Sequence, residues 1–88
     1  MLPLNYAVLK VFENEEGALC TDDVMDRMRD DYKNYRAFKE ANISEALMSG
    51  EVNGLLDEVS FNLDENKKLH IYYKINDEGK KAIKKYLK

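Results

Sequence analysis

Two runs of alternating apolar residues sit back to back in the last third of the chain, and they restrict what it can fold into more than any other feature. Val59, Phe61 and Leu63 alternate with Ser60 and Asn62, and Leu69, Ile71, Tyr73 and Ile75 alternate with His70, Tyr72 and Lys74. A period of two sends successive side chains to opposite faces of a strand, so each run is expected to bury one face and wet the other. Asp64 to Lys67 between them has the length of a hairpin loop. Tyr73-Lys74-Ile75-Asn76-Asp77-Glu78-Gly79 then carries the second strand into a lysine-rich helix. That order, a hairpin followed directly by a helix, suggests a wing.

The preceding residues have helical spacing. Leu4, Val8, Val11 and Phe12 fall at i, i+4, i+7 and i+8, which predicts a first helix from about Leu4 to Asn14, with Gly17 ending the segment. Ala18-Leu19-Cys20 is too short for a helix and suits a small strand added to the hairpin. Thr21 is the expected N-cap of a second helix, with Asp22 and Asp23 where the helix dipole favours negative charge. Val24, Met25, Met28 and Tyr32 form its buried stripe, while Asp26, Arg27, Arg29, Asp30 and Asp31 face water. Further on, Tyr35, Phe38 and Ala41 lie on a different face from Ile43, Ala46 and Leu47, so one helix over 35–49 does not fit. A break near Asn42, with Asn42 as cap, turns Ile43, Ala46, Leu47 and Gly50 inward. A second register ends that helix at Gly50 and starts a turn in which Val52, Leu55, Leu56 and Val59 keep helical spacing; the sequence serves both. Asn76 caps the last helix, whose apolar edge is Ala82, Ile83, Tyr86 and Leu87, and Lys80, Lys81, Lys84, Lys85 and Lys88 occupy the rest.

Length and composition narrow the class of function. At 88 residues, 1–88 is expected to be one domain near the lower size limit for an unstapled apolar core. No apolar run approaches the roughly 20 residues of a membrane span, and Met1-Leu2-Pro3 lacks the basic and apolar stretches of a secretory leader. One cysteine, Cys20, cannot form an internal disulfide, which points to the reducing cytoplasm. Catalysis is disfavoured: His70 is the single histidine, Cys20 has no base beside it in sequence, and there is no phosphate loop or nucleophile elbow. Asp22, Asp26 and Asp30 share a helical face, but hard cations are usually held by several oxygens converging from a loop, so no metal or cofactor is expected. The net charge of -3 conceals an asymmetry. Residues 1–66 carry 6 Lys/Arg against 15 Asp/Glu, a net of -9, whereas residues 67–88 carry 8 Lys against 2 acids, a net of +6. A basic end attracts phosphate and an acidic face repels it.

Helix, short strand, helix, helix, hairpin, helix, with Gly54-Leu55-Leu56 before the hairpin and Tyr73-Lys74-Ile75-Asn76-Asp77-Glu78-Gly79 after it, resembles the PadR-like and MarR-like bacterial transcription regulators. In those families a Gly-Leu-Ile type corner follows the third helix, and the second wing strand ends in a Tyr-x-Leu-Thr-x-x-Gly type motif, with Asn76 here in place of Thr. The resemblance covers nearly the whole chain and implies an α+β, mainly helical, winged helix-turn-helix: three core helices, a two-stranded wing with a short third strand, and a C-terminal helix. Gly54 would supply the left-handed turn out of the third helix, Leu55 or Leu56 would plug the core beneath it, and Gly79 would let the last helix pass close to the sheet.

The resemblance further implies double-stranded DNA as partner, read by the third helix in the major groove and flanked by the wing. Lys33, Arg36 and Lys39 would grip phosphates, Asn42, Ser44 and Ser49 would meet bases or backbone, and Lys67 and Lys68 would reach the flanking groove, with Tyr35 packed on a sugar. A homodimer would form through Ile83, Tyr86 and Leu87. A different class of function is a winged protein-interaction module that binds no nucleic acid, docking a protein partner through the wing or the acidic second helix. The segment from Asn42 to Asn53 contains no Lys or Arg, and Glu45 and Glu51 would meet phosphates unfavourably, which favours that alternative.

Overall fold

The structure, a computed structural model, describes residues 3–87, so Lys88, grouped above with the lysines of the last helix, lies outside the described residues. Helix α1 (Leu4–Val11) buries Ala7, Val8 and Leu9. It ends before the expected Asn14, because the amides of Phe12 and Glu13 turn back to the carbonyls of Leu9 and Lys10, a tight three-residue closure that seals the last turn. Phe12, just past that end, is fully buried. Leu19 then exchanges both backbone hydrogen bonds with Tyr73 at 2.8 Å, the short third strand expected from Ala18-Leu19-Cys20 reduced to a single bridge.

Helix α2 (Thr21–Tyr32) is capped one residue ahead of the expected Thr21. The Asp23 carboxylate accepts the Cys20 backbone N–H at 3.1 Å and the Cys20 thiol at 3.3 Å. With Thr21 as cap, Val24 would occupy the position from which a side chain reaches back, and it has nothing to offer; with Cys20 as cap, Asp23 does. Val24 and Met28 are buried on its inner stripe, with Met25 and Tyr32 packed against the core from the side.

Residues 33–39 form a non-helical turn held by short-range amide bonds from Tyr35 to Tyr32 and from Phe38 to Tyr35. Helix α3 (Glu40–Val52) starts before Asn42, which is therefore not its cap; the Asn42 amide instead donates to the carbonyl of Ala37 at 2.9 Å and fastens the turn to the helix. Ile43, Ala46 and Leu47 are buried. The helix continues through Gly50, so the register that stops there fails. The release comes at Gly54, whose φ of 77° is left-handed, with the Leu55 amide folding back to the carbonyl of Gly50 at 2.9 Å.

Strand β1 (Leu56–Leu63) pairs antiparallel with β2 (Leu69–Ile75), bringing Leu56 opposite Ile75, Phe61 opposite Ile71 and Leu63 opposite Leu69. A bulge between Glu58 and Ser60 leaves Val59 without a partner. The loop runs from Asp64 through Lys68, one residue beyond the expected Lys67, and Lys67 takes a φ of 66°. The expectation that each strand buries its apolar face is corrected by β1: Leu56 is buried, but Val59, Phe61 and Leu63 are exposed, and so is Leu69 at the start of β2. Beyond its root, β1 is exposed at every position, so its apolar side chains stay open.

Helix α4 (Asp77–Tyr86) is capped by Asn76 as expected, its side-chain oxygen accepting the Gly79 amide at 2.8 Å. The same side chain donates to the Gly54 carbonyl at 2.9 Å and to Asp57 Oδ1 at 3.1 Å, stitching α4, the corner and β1 together. A Cβ on Gly79 would stand 2.3 Å from the Leu55 carbonyl oxygen, so glycine is what allows the helix to sit this close. Phe12, Ile43, Leu47, Leu56, Val8 and Val24 are the largest fully buried side chains of one cluster that joins all four helices to the root of the hairpin. This is the winged helix-turn-helix arrangement, with β1 and β2 as the wing.

Candidate nucleic-acid interface

The basic residues named from the sequence divide into free and engaged ones. Lys33, Arg36 and Lys39 are all exposed on the turn between α2 and α3, and none enters an ion pair among the described residues. The turn is braced on both sides. Tyr32 and Tyr35 meet edge to face at 6.0 Å, and the Asn42 to Ala37 bond closes it from the other side. Three cations are thus presented beside the N-terminus of α3. Asn42, committed to that bond and half-buried, holds the turn rather than offering its amide outward.

Of the two lysines expected at the wing tip, Lys67 enters no ion pair among the described residues. Lys68 points back to the helices, its ammonium 2.7 Å from Glu40 Oε1 and 3.7 Å from Asp22 Oδ1. The hydrogen bond to Glu40 is the main reason that its ammonium holds its proton more tightly than an ordinary lysine. Beside it, His70 Nε2 lies 3.0 Å from Asp64 Oδ2 and its Nδ1 lies 3.8 Å from Asp22 Oδ2. Asp64 also accepts the amides of Asn66 and Lys68 at 2.8 and 3.0 Å. The His70 contact, followed by the Lys68 amide, holds the Asp64 carboxyl below the usual carboxylate range. The wing is therefore pinned to the starts of α2 and α3 by alternating charges, an arrangement that spacing did not reveal because Asp22, Glu40, Asp64, Lys68 and His70 meet only in three dimensions.

The serines part company. Ser44 is half-buried in a recess of about 170 Å³ between α3 and the wing, shared with Thr21, Asp22, Glu40, Lys68 and His70. Ser49 lines a different and larger hollow of about 760 Å³, mostly apolar, between α1, α3 and α4, with Leu4, Tyr6, Leu55, Ala82 and Tyr86. Because Tyr6 and Ala82 come from α1 and α4, Ser49 faces away from the turn and the wing. Of the three residues expected to pair two copies, Ile83 and Leu87 are buried within this chain, whereas Tyr86 is 70% exposed at the lip of that hollow, with the Lys85 ammonium 5.3 Å from its ring. The outward side of α3 carries Ala41, Met48, Val52 and the Glu45 expected to meet phosphates unfavourably, all exposed.

Cys20 is buried, and burial together with its neighbour Asp23 leaves the thiol less acidic than usual, which suits packing rather than nucleophilic attack. Among the described residues no three His, Cys, Asp or Glu side chains are grouped to hold a metal ion. No described helix is long and apolar enough to cross a membrane.

No known family model matches the sequence, and no curated protein matches it. Solved structures do. The operator-DNA complex of Bacillus subtilis PadR superposes with a TM-score of 0.73 at 20% identity, covering 96% of this chain and 47% of that one. A PadR-like transcriptional regulator from Bacillus cereus superposes with a TM-score of 0.68 at 14% identity, covering 96% of this chain and 77% of that one. The chain thus spans about half the length of the first of these. The likeness is to PadR-type domains, and neither comparison bears on the MarR-like side of the resemblance. At these identities what is shared is the fold: the chain is built as a PadR-type winged helix.

Proposed function

We propose that this protein is a DNA-binding transcription regulator that docks α3 against duplex DNA, with the α2–α3 turn gripping phosphates. The observation that carries this reading is the triad of exposed, unpaired cations, Lys33, Arg36 and Lys39, at the entrance to α3. In a winged helix that entrance lies against the sugar-phosphate backbone when the third helix enters the major groove. The similar fold of a PadR that was solved with operator DNA supports duplex DNA as the partner. Lys67 at the wing tip adds a further phosphate contact; Lys68 does not, being spent on Glu40 and Asp22. Four phosphate contacts per copy give weak binding, so two copies acting together are part of the proposal, with the exposed Tyr86 and the hollow beside it as the pairing surface. The chain acts as one domain in the cytoplasm and carries out no catalysis.

A titration against duplex DNA at two salt concentrations tests this. Each phosphate contact contributes a slope of about 0.9 in the logarithm of affinity against that of salt, so joint replacement of Lys33, Arg36 and Lys39 by Ala should flatten the slope by about 2 to 3. Absent binding at low salt refutes the proposal. A second reading, a protein-interaction module, is favoured by one specific observation: Val59, Phe61, Leu63 and Leu69 leave the wing apolar where a phosphate-binding wing would be basic. Absent duplex binding, together with a protein partner that Phe61→Ser releases and the triple variant keeps, would decide for it.

A further inference from the structure

The outward face of α3 has an unusual chemistry for a helix that enters a groove. Ala41, Glu45, Met48 and Val52 recur at helical spacing, and among them they offer a methyl, a carboxylate, a thioether chain and a branched alkyl group. No hydrogen-bond donor is present on that stripe. Ser44, the nearest hydroxyl, is half-buried in the recess against the wing. Glu45 enters no ion pair and no side-chain hydrogen bond among the described residues, so its two oxygens are free to accept.

The four bases differ in what they show such a face. Guanine presents only acceptors in the major groove and needs Arg or Lys to be read, so this stripe has nothing for it. Adenine offers an amine, but the acceptor N7 stands beside it and repels a carboxylate. Cytosine offers the N4 amine as its own major-groove group, and thymine offers a methyl that apolar side chains cover. Resting on the DNA-binding reading above, we infer that α3 reads pyrimidines on one strand. Glu45 accepts from the N4 amine of a cytosine, and Ala41 and Met48 pack on thymine methyl groups on either side of it. Repulsion between Glu45 and the flanking phosphates lowers affinity for every sequence alike. It also makes a cytosine amine the one base group that compensates the carboxylate, and discrimination follows from that difference. Lys33, Arg36 and Lys39 hold the helix in place while this selection operates.

The test is selection of duplexes from a pool randomised over one helical turn, using the full chain at low salt, followed by the same selection with Glu45→Gln and Met48→Ala. Both side chains are exposed, so a thermal melt should show the variants as stable as the parent. The parent should enrich cytosine at one position with thymines beside it. Glutamine pairs with the N6 and N7 groups of adenine, so Glu45→Gln should move the preference at that one position from cytosine to adenine by about tenfold, leaving its neighbours unchanged. Met48→Ala should relax the thymine preference at a neighbouring position. If Glu45→Gln tightens binding to all duplexes equally and shifts no base, the carboxylate faces phosphate and the inference is overturned, while DNA binding itself stands. If the parent retains no duplex at low salt, the function proposed above fails and this inference falls with it.

Discussion

The two strands of the wing carry nearly the same alternation and meet opposite fates. In β2, exposure falls along the strand from an open Leu69 through a half-buried Ile71 to a buried Tyr73 and Ile75. In β1, Leu56 is buried at the root and everything beyond it is open, Phe61 being 68% exposed. The strands share one sheet and one face, so intrinsic preference does not separate them. Position does. β2 lies between β1 and the Leu19 bridge and packs on α2, whereas β1 is an outer strand with nothing beyond it. A period of two shows that a strand has an apolar side; whether that side is covered depends on what the rest of the chain brings to it.

Truncating the buried root of β2 is the largest way to sharpen this contrast. Ile75 is 5% exposed, and Ile75→Ala should cost about 2 to 5 kcal/mol in a denaturant melt, as buried aliphatic truncations do. A cost near that of a surface change would mean that the root of β2 is no better covered than β1. Next in size is Gly79→Ala. The new methyl would lie 2.6 Å from Ile75 Cγ1 as well as against the Leu55 carbonyl, so α4 must move off the point where both strands leave the core. Overpacking of this kind costs about 1 to 3 kcal/mol, and here it outweighs the better helix propensity of Ala, worth about 1 kcal/mol in the other direction. A variant more stable than the parent would show that α4 does not rest on the wing root.

Much of the root was legible in the sequence and most of the tip was not, for a physical reason. Asn76, Gly54 and Gly79 act through backbone needs that travel with the residue: a cap, a left-handed turn and a close approach. Each therefore announced its place. Asn42 also looked like a cap, yet its amide found the Ala37 carbonyl, because the turn supplies a partner that local sequence does not reveal. Thr21 yielded to Cys20 for a similar reason, since Asp23 sits at the right offset from 20 and not from 21. Lys68 was expected to reach outward, and two carboxylates from α2 and α3 hold it inward. Among the candidate site residues, those on the turn kept the exposure that their charge implies. Ser49, Ile83 and Leu87 were placed by helix packing, which polarity and terminal position do not encode.

The exposed half of the comparison makes a prediction of the opposite kind. Phe61→Ser removes a large apolar side chain that the fold does not cover, so stability should change by no more than about 0.5 kcal/mol. Its visible effect should be on association. β1 is an outer strand with an open edge, and only the bulge at Val59 and the acids Asp57 and Glu58 discourage another chain from pairing with it. Light scattering at high protein concentration should show less self-association in Phe61→Ser than in the parent. A loss of several kcal/mol would instead mean that Phe61 packs against the body and that the two strands are alike.

The smallest effect is at the tip, where charge substitutes for apolar cover. Asp64 is ionised more readily in the fold than in the unfolded chain, because His70 and the Lys68 amide both favour its charged form. A lowered folded pKa means that its contribution to stability is complete above the unfolded value, near 4, and is lost as the pH falls through the folded one. Asp64→Asn keeps an oxygen for the Asn66 and Lys68 amides and removes only the charge, so it isolates the link to His70. The gap in melting temperature between parent and variant should be present at pH 7 and narrow progressively below about pH 4. Ile75→Ala should show no such narrowing, since no charge is involved at the root. A gap that stays constant with acidification would mean that Asp64 holds the loop through its neutral hydrogen bonds alone, and that charge fastens the tip to the helices only through Lys68 and the contact of His70 with Asp22.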